Sequence, residues 1–125
     1  MPIDATLPYD ENNIFARILR GDLPSKPVYE DEFAFAFHDI NPQAPLHILV
    51  IPKGAYVSWD DFSARASDAE IAGFIRAVGK VARDRQLVEP GYHLLANIGG
   101  HGGQEVPHLH VHIFGGQWLG PMLAR

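Results

Sequence analysis

The chain has 125 residues, a formal net charge of −5 with its seven histidines neutral, and no cysteine. That length suits one domain with one core, and the missing thiols exclude disulfides, thiolate catalysis and Cys-ligated zinc. The acidic balance speaks against a nucleic-acid partner, which calls for a basic face, and no apolar run approaches the ~20 residues that span a bilayer.

Residues 1–12 are polar, hold two prolines and read as a flexible leader; 13–125 read as a single domain. The N-terminus has neither a basic nor an apolar segment of the secretory kind, so a cytoplasmic protein without a membrane partner is expected. Asn12 or Asn13 can cap a short helix with Ile14, Phe15, Ile18 and Leu19 on one face, and Gly21 suits its end. Pro24 and Pro27 carry an extended link. Val28 to Glu30 reads as a short strand, and Phe33 to His38 as a stronger one with an aromatic at every second residue. His38 and Asp39 close that strand ahead of the turn Ile40 to Pro45. Leu46 to Ile51 is apolar on both faces, as a central strand is.

Ser67-Asp68-Ala69-Glu70 spells a capping box. The long helix it opens carries Ile71, Phe74, Ile75, Val78 and Ala82 at helical spacing, and its two glycines, Gly73 and Gly79, fit close approach to another backbone. Tyr92 to Asn97 reads as a fourth strand. The glycine-rich turn 99–103 leads to the last one, His108-Leu109-His110-Val111-His112-Ile113-Phe114. Strands joined by short turns pair antiparallel, so the expected class is α+β, with helices on a sheet.

Histidine and apolar residues alternate strictly in that last run. In a strand, residues i, i+2 and i+4 share a face, which sets His108, His110 and His112 side by side. Three such imidazoles can bind a metal with one open position, or one can act as nucleophile or base while the others hold it. Gly102 and Gly103, just before Gln104 and Glu105, can turn backbone N–H groups toward one point and make an anion nest, or can simply be a flexible hairpin turn. Asp39 can take the hydroxyls of a ribose, or serve the turn before Asn41-Pro42.

Taken together, 37–45, 47–53, 103–106 and the triad resemble the histidine-triad (HIT) nucleotide-binding proteins, in their Hint-type branch. Ile14 to Leu19 and the Leu119 to Leu123 tail are similar as well, so the likeness runs from Asn13 to Leu123. It implies an antiparallel sheet of about five strands with one short and one long helix, the sheet continuing across a homodimer. It implies a purine mononucleotide as ligand and hydrolysis of nucleoside 5′-phosphoramidates, at the P–N bond, or of aminoacyl-adenylates, with no cofactor and no metal. By the same resemblance His110 is the nucleophile, His112 touches the phosphate, and His108 and His47 hold or polarise the site. Asp39 takes the ribose. Phe37, His38, Ile40, Ile14, Phe15 and Ile18 surround the purine. Asn97 lies near ribose and phosphate, and Gly103, Gln104 and Glu105 form the phosphate loop. Many family members carry Ser or Thr where Glu105 stands; a carboxylate repels phosphate, so the backbone N–H of Glu105 is the expected contact. Competing readings are a zinc site built from the triad with His47, a nucleotide-binding module without turnover, and hydrolysis of dinucleoside polyphosphates.

Overall fold

Asn13 starts the first helix as expected: its side chain accepts the N–H of Ala16 at 2.9 Å. In the computed structural model, which describes residues 2–121 and 123, the elements in chain order are α1 (Ile14–Leu19), β1 (Pro27–Glu30), β2 (Ala34–His38), β3 (Leu46–Pro52), α2 (Trp59–Arg65), α3 (Asp68–Asp84), β4 (His93–Leu95) and β5 (Val111–Gly115). The five strands form one antiparallel sheet in the order β1-β2-β3-β5-β4. β3 sits at its centre, where its unbroken apolar run is buried on both faces. The class is α+β.

Alternation within the strands sorts residues to two faces. Ala34, Ala36, Ile48, Val50, Val111 and Ile113 turn toward α3 and pack with Phe74, Ala77, Val78 and Val81. Phe37, Leu49 and Ile51 turn the other way and pack with Phe15 of α1. The long helix thus closes one face, while the short α1 covers only part of the other and leaves a cleft.

Three expectations need correction. A second short helix, α2, stands before α3. Ser58 caps it and Asp60 and Asp61 occupy its first turn, but Phe62 is its one buried residue, so it carries no periodicity. The last strand begins only at Val111. The residues before it leave the ladder: Pro107 has no N–H to give, and the Leu109 N–H donates at 2.8 Å to the carbonyl of Tyr56, outside the sheet. Gly73 does meet a close neighbour, but it is a ring and not a backbone, since a Cβ there would stand 2.1 Å from Phe33 Cδ2. A Cβ on Gly79 would meet only the flexible end of Arg83. Among the described residues no helix is long and apolar enough to cross a membrane.

Candidate active site

The cleft beside α1 has a volume of about 350 Å³. Ile14, Phe15, Ile18, Phe37 and Ile40 make its apolar end; Asp39, Asn97, Gly103 and Glu105 line it with His110 and His112. Leu49 and Val106 also line it, although neither stood out in the sequence. A larger hollow of about 730 Å³ lies against the C-terminal tail, where Arg85, Tyr92 and Trp118 line it. No triad histidine reaches it.

Cross-strand register assembles the imidazoles. His112 pairs with Leu49 and Phe114 with His47, so His47 and His112 are diagonal neighbours on one face. Phe114 continues that face: its ring stacks on His112 at 5.4 Å and lies 4.3 Å from His47. Phe15 meets His110 edge-on at 4.9 Å.

The hydrogen bonds assign the ring protons. His110 Nδ1 lies 2.8 Å from the carbonyl of His108. A carbonyl only accepts, so Nδ1 carries the proton and Nε2 keeps its lone pair. His47 Nδ1 accepts the N–H of Gln43 at 3.1 Å. Its Nε2–H therefore donates to His112 Nδ1 at 2.9 Å, with an Asp39 oxygen 3.5 Å away. That leaves the proton of His112 on Nε2, which is buried with no partner among the described residues. A lone pair on His110 and an N–H on His112 belong to two rings that line one cleft.

The imidazoles are neutral. Burial pushes His108 and His112 down to about 4, and for His112 the neighbouring His110 and His47 add to it. Burial lowers His110 and His47 as well, opposed in part at His110 by the His108 carbonyl and then the Asp39 carboxylate, and at His47 by the Asp39 carboxylate.

The zinc reading needs the triad with His47, but among the described residues the donor atoms that lie within 4.8 Å of one another are those of Asp39, His47 and His112. Of these, His47 Nε2 and His112 Nδ1 are 2.9 Å apart. Two ligands of one tetrahedral zinc keep about 3.3 Å between them. The spacing fits a shared proton.

Two expected ligand residues, His38 and Gln104, sit elsewhere, while His47 and His108, expected to hold or polarise the site, bond to the histidines that line the cleft. His38 follows Phe37 in β2 and so turns to the opposite face; it does not line the cleft. His47 stands behind His112. His108 is fully buried, its Nε2 donating to the carbonyl of Pro52 at 2.8 Å. Gln104 is buried too: its amide donates to the carbonyls of Val57 and Val106 at 2.6 and 3.0 Å and accepts the N–H of Gly99 at 3.0 Å. It pins the loop.

The glycines of that loop also differ from the expected nest. The N–H groups of Gly103 and Gln104 are spent on the carbonyls of Gly100 and Gly99, at 3.1 and 3.0 Å. The N–H groups of Glu105 and Val106 make no hydrogen bond among the described residues, so the free donors lie one step later. Gly102 is needed for packing, because a Cβ there would stand 2.3 Å from the carbonyl oxygen of Ile98. Asp39 keeps both of its readings. One carboxylate oxygen accepts the Asn41 N–H at 2.8 Å, as a turn residue does, and the side chain lines the cleft.

One contact had no signal in the sequence. The Tyr9 hydroxyl lies 2.6 Å from His108 Nδ1. Upstream, the Ile3 N–H donates to the Gln104 carbonyl at 2.7 Å.

Comparison with known proteins agrees with the fold. The model of the HIT domain matches residues 20–118. A 13.2 kDa HIT-like protein of Azospirillum brasilense is 67% identical over 117 residues, 94% of this chain and 96% of that protein. The purine nucleoside phosphoramidase of Escherichia coli K12 is 46% identical over 115 residues, 92% of this chain and 96% of its own length. Among solved structures, a HIT family hydrolase from Clostridium thermocellum superposes with a TM-score of 0.81 at 40% identity, covering 92% of this chain and 99% of the other. The chain belongs to the HIT family.

Proposed function

We propose that this protein hydrolyses purine nucleoside 5′-phosphoramidates and aminoacyl-adenylates through a nucleotidyl group on His110. The observation that carries the reading is the His108 carbonyl on His110 Nδ1, at 2.8 Å. It leaves the Nε2 lone pair free on a neutral ring that lines the cleft. Nε2 attacks the α-phosphorus and the bond to the leaving group breaks: the P–N bond of a phosphoramidate, whose amine leaves after taking up a proton from solvent, or the P–O bond of an aminoacyl-adenylate, whose amino acid leaves as its carboxylate. The ring is now cationic, and the same carbonyl continues to accept from Nδ1–H. Water then attacks phosphorus, gives up a proton and returns the electron pair to Nε2, releasing the nucleoside 5′-monophosphate. The His112 Nε2–H and the free N–H groups of Glu105 and Val106 are suited to charge developing on the phosphoryl oxygens. The apolar end of the cleft, with Phe15 and Phe37, suits a purine. The E. coli relative, a purine nucleoside phosphoramidase by name, supports the same substrate class.

Asp39 tests the nucleotide's placement. A carboxylate accepting ribose hydroxyls contributes roughly 1.5–3 kcal/mol per charge-assisted bond. With an adenylated amine, wild type is expected to release amine and 5′-monophosphate. Asp39→Ala should raise KM far more for the ribonucleotide than for its 2′-deoxy analogue. No turnover by wild type would overturn the reading, and equal losses on both substrates would return Asp39 to the turn alone.

We further infer a two-fold homodimer joined along β4. That strand ends the sheet, and beside it Trp59, Ile75, Leu94 and Ile98 are each 40–48% exposed, an apolar set that favours a partner. The tail also exposes Trp118 and Leu123, at 89% and 77%; Met122 lies outside the described residues. Leu94→Glu should convert a micromolar dimer to monomer in sedimentation. A monomeric wild type would contradict the interface.

A further inference from the structure

We propose that Tyr9 is a positioning residue for His110: its hydroxyl holds the His108 ring, so that the carbonyl of His108 keeps the proton of His110 on Nδ1. The kinetic part of this inference rests on the proposed reaction; the structural part does not.

His108 is fully buried, and both nitrogens of a buried imidazole need partners. Nε2–H donates to the last carbonyl of β3, Pro52, at 2.8 Å. That leaves Nδ1 as an acceptor. Its partner among the described residues is the Tyr9 hydroxyl, at 2.6 Å. Burial raises the phenol above its ordinary range, so it stays protonated and can donate.

The donor is itself held in place. The rings of Tyr9 and His108 meet edge-on at 5.6 Å. The next residue, Asp10, is tied to α1: its carbonyl accepts both the backbone N–H and the side-chain amide of Asn13, at 3.1 and 2.7 Å. Asn13 is the cap of α1, and Phe15 of that helix lies edge-on to both His108 and His110. The segment bearing Tyr9 is therefore tied through Asn13 to the apolar wall of the cleft.

His108 has two jobs at opposite ends of one residue. Its ring is clamped between Tyr9 and Pro52, and its carbonyl accepts from His110 Nδ1 at 2.8 Å. Without the hydroxyl, a buried nitrogen loses its donor. The ring then turns or admits water, the Pro52 link loosens, and the carbonyl drifts. His110 can next place its proton on Nε2, which removes the lone pair that attacks. Small misplacements of this kind are costly in a preorganised site.

The test joins nitrogen-15 NMR of the unliganded protein with kinetics on an adenylated amine, comparing wild type with Tyr9→Phe, which keeps the ring and removes only the hydroxyl. Wild type should show His110 protonated at Nδ1 alone. Tyr9→Phe should show mixed His110 tautomers, a kcat lower by about tenfold or more, and affinity for adenosine 5′-monophosphate within about twofold of wild type. Should Tyr9→Phe not fold, wild type carrying 3-fluorotyrosine at position 9, a stronger donor, should shift the His108 Nδ1 resonance. A single wild-type tautomer in Tyr9→Phe would overturn the proposal. So would an unchanged kcat beside an active wild type, or an unmoved resonance with fluorotyrosine. If wild type turns over no adenylated amine, the functional reading fails, and the tautomers alone decide on Tyr9.

Discussion

His110→Ala is expected to lose at least about a thousandfold in turnover, because no other group in the cleft can take over the covalent step. His112 cannot: its Nδ1 lone pair is occupied by His47, and its Nε2 carries the proton. His47 and His108 stand behind the cleft wall, their ring nitrogens already engaged. The same variant should bind adenosine 5′-monophosphate within about tenfold of wild type, a difference of ~1.4 kcal/mol. The nucleotide is held by Phe37, Asp39 and the loop N–H groups in this reading, and none of them depends on His110. The variant leaves the His108 carbonyl without its donor, at a stability cost of about 1–3 kcal/mol, so a melting curve belongs beside the kinetics. Near-normal turnover in a folded variant would remove His110 from the mechanism.

Acid should destabilise this protein well above the range where its carboxylates titrate. In an unfolded chain a histidine takes up its proton near pH 6.5. Folded His108 and His112 resist protonation until about pH 4. Between those values the unfolded state binds more protons than the folded one, so stability falls as pH falls. The stabilising effect of keeping the rings neutral is complete above about pH 6.5 and is lost progressively toward pH 4. At pH 5 the two rings together amount to a loss on the order of 4 kcal/mol relative to pH 7, with His110 and His47 adding in the same direction. Denaturant unfolding at the two pH values checks this: the midpoint should drop at pH 5 with an unchanged slope. Equal midpoints would mean that these imidazoles are already charged in the folded protein.

Much of this was legible in the residues. The aromatic at every second residue of 33–38 and the unbroken apolar run of 46–51 marked two strands, and the capping box with its helical spacing marked α3. The strict His-x-His-x-His pattern pointed to three imidazoles on one side; Phe15 meets the rings of His108 and His110, and His110 meets His112, although only His112 lies within β5. What escaped has physical reasons. Phe37 and His38 are neighbours in a strand and cannot share a face. Helix α2 buries one residue and so carries no period. The turn glycines indicated free N–H groups, but those of Gly103 and Gln104 close the turn itself. Gln104 was expected in the phosphate loop by resemblance, and a polar side chain beside a glycine pair gives no sign that three backbone groups will claim it. Tyr9 and His108 are 99 positions apart, and no local pattern links them.

The central claim is that the nucleotide passes through His110, and the most direct measurement is the intact mass of the protein during turnover of an adenylated amine, quenched in its first cycles. The expected result is a transient gain of one nucleotidyl group in wild type, mapped to the peptide that carries His110 and absent from His110→Ala. Steady turnover by wild type with no such adduct, or the same adduct on His110→Ala, would contradict it.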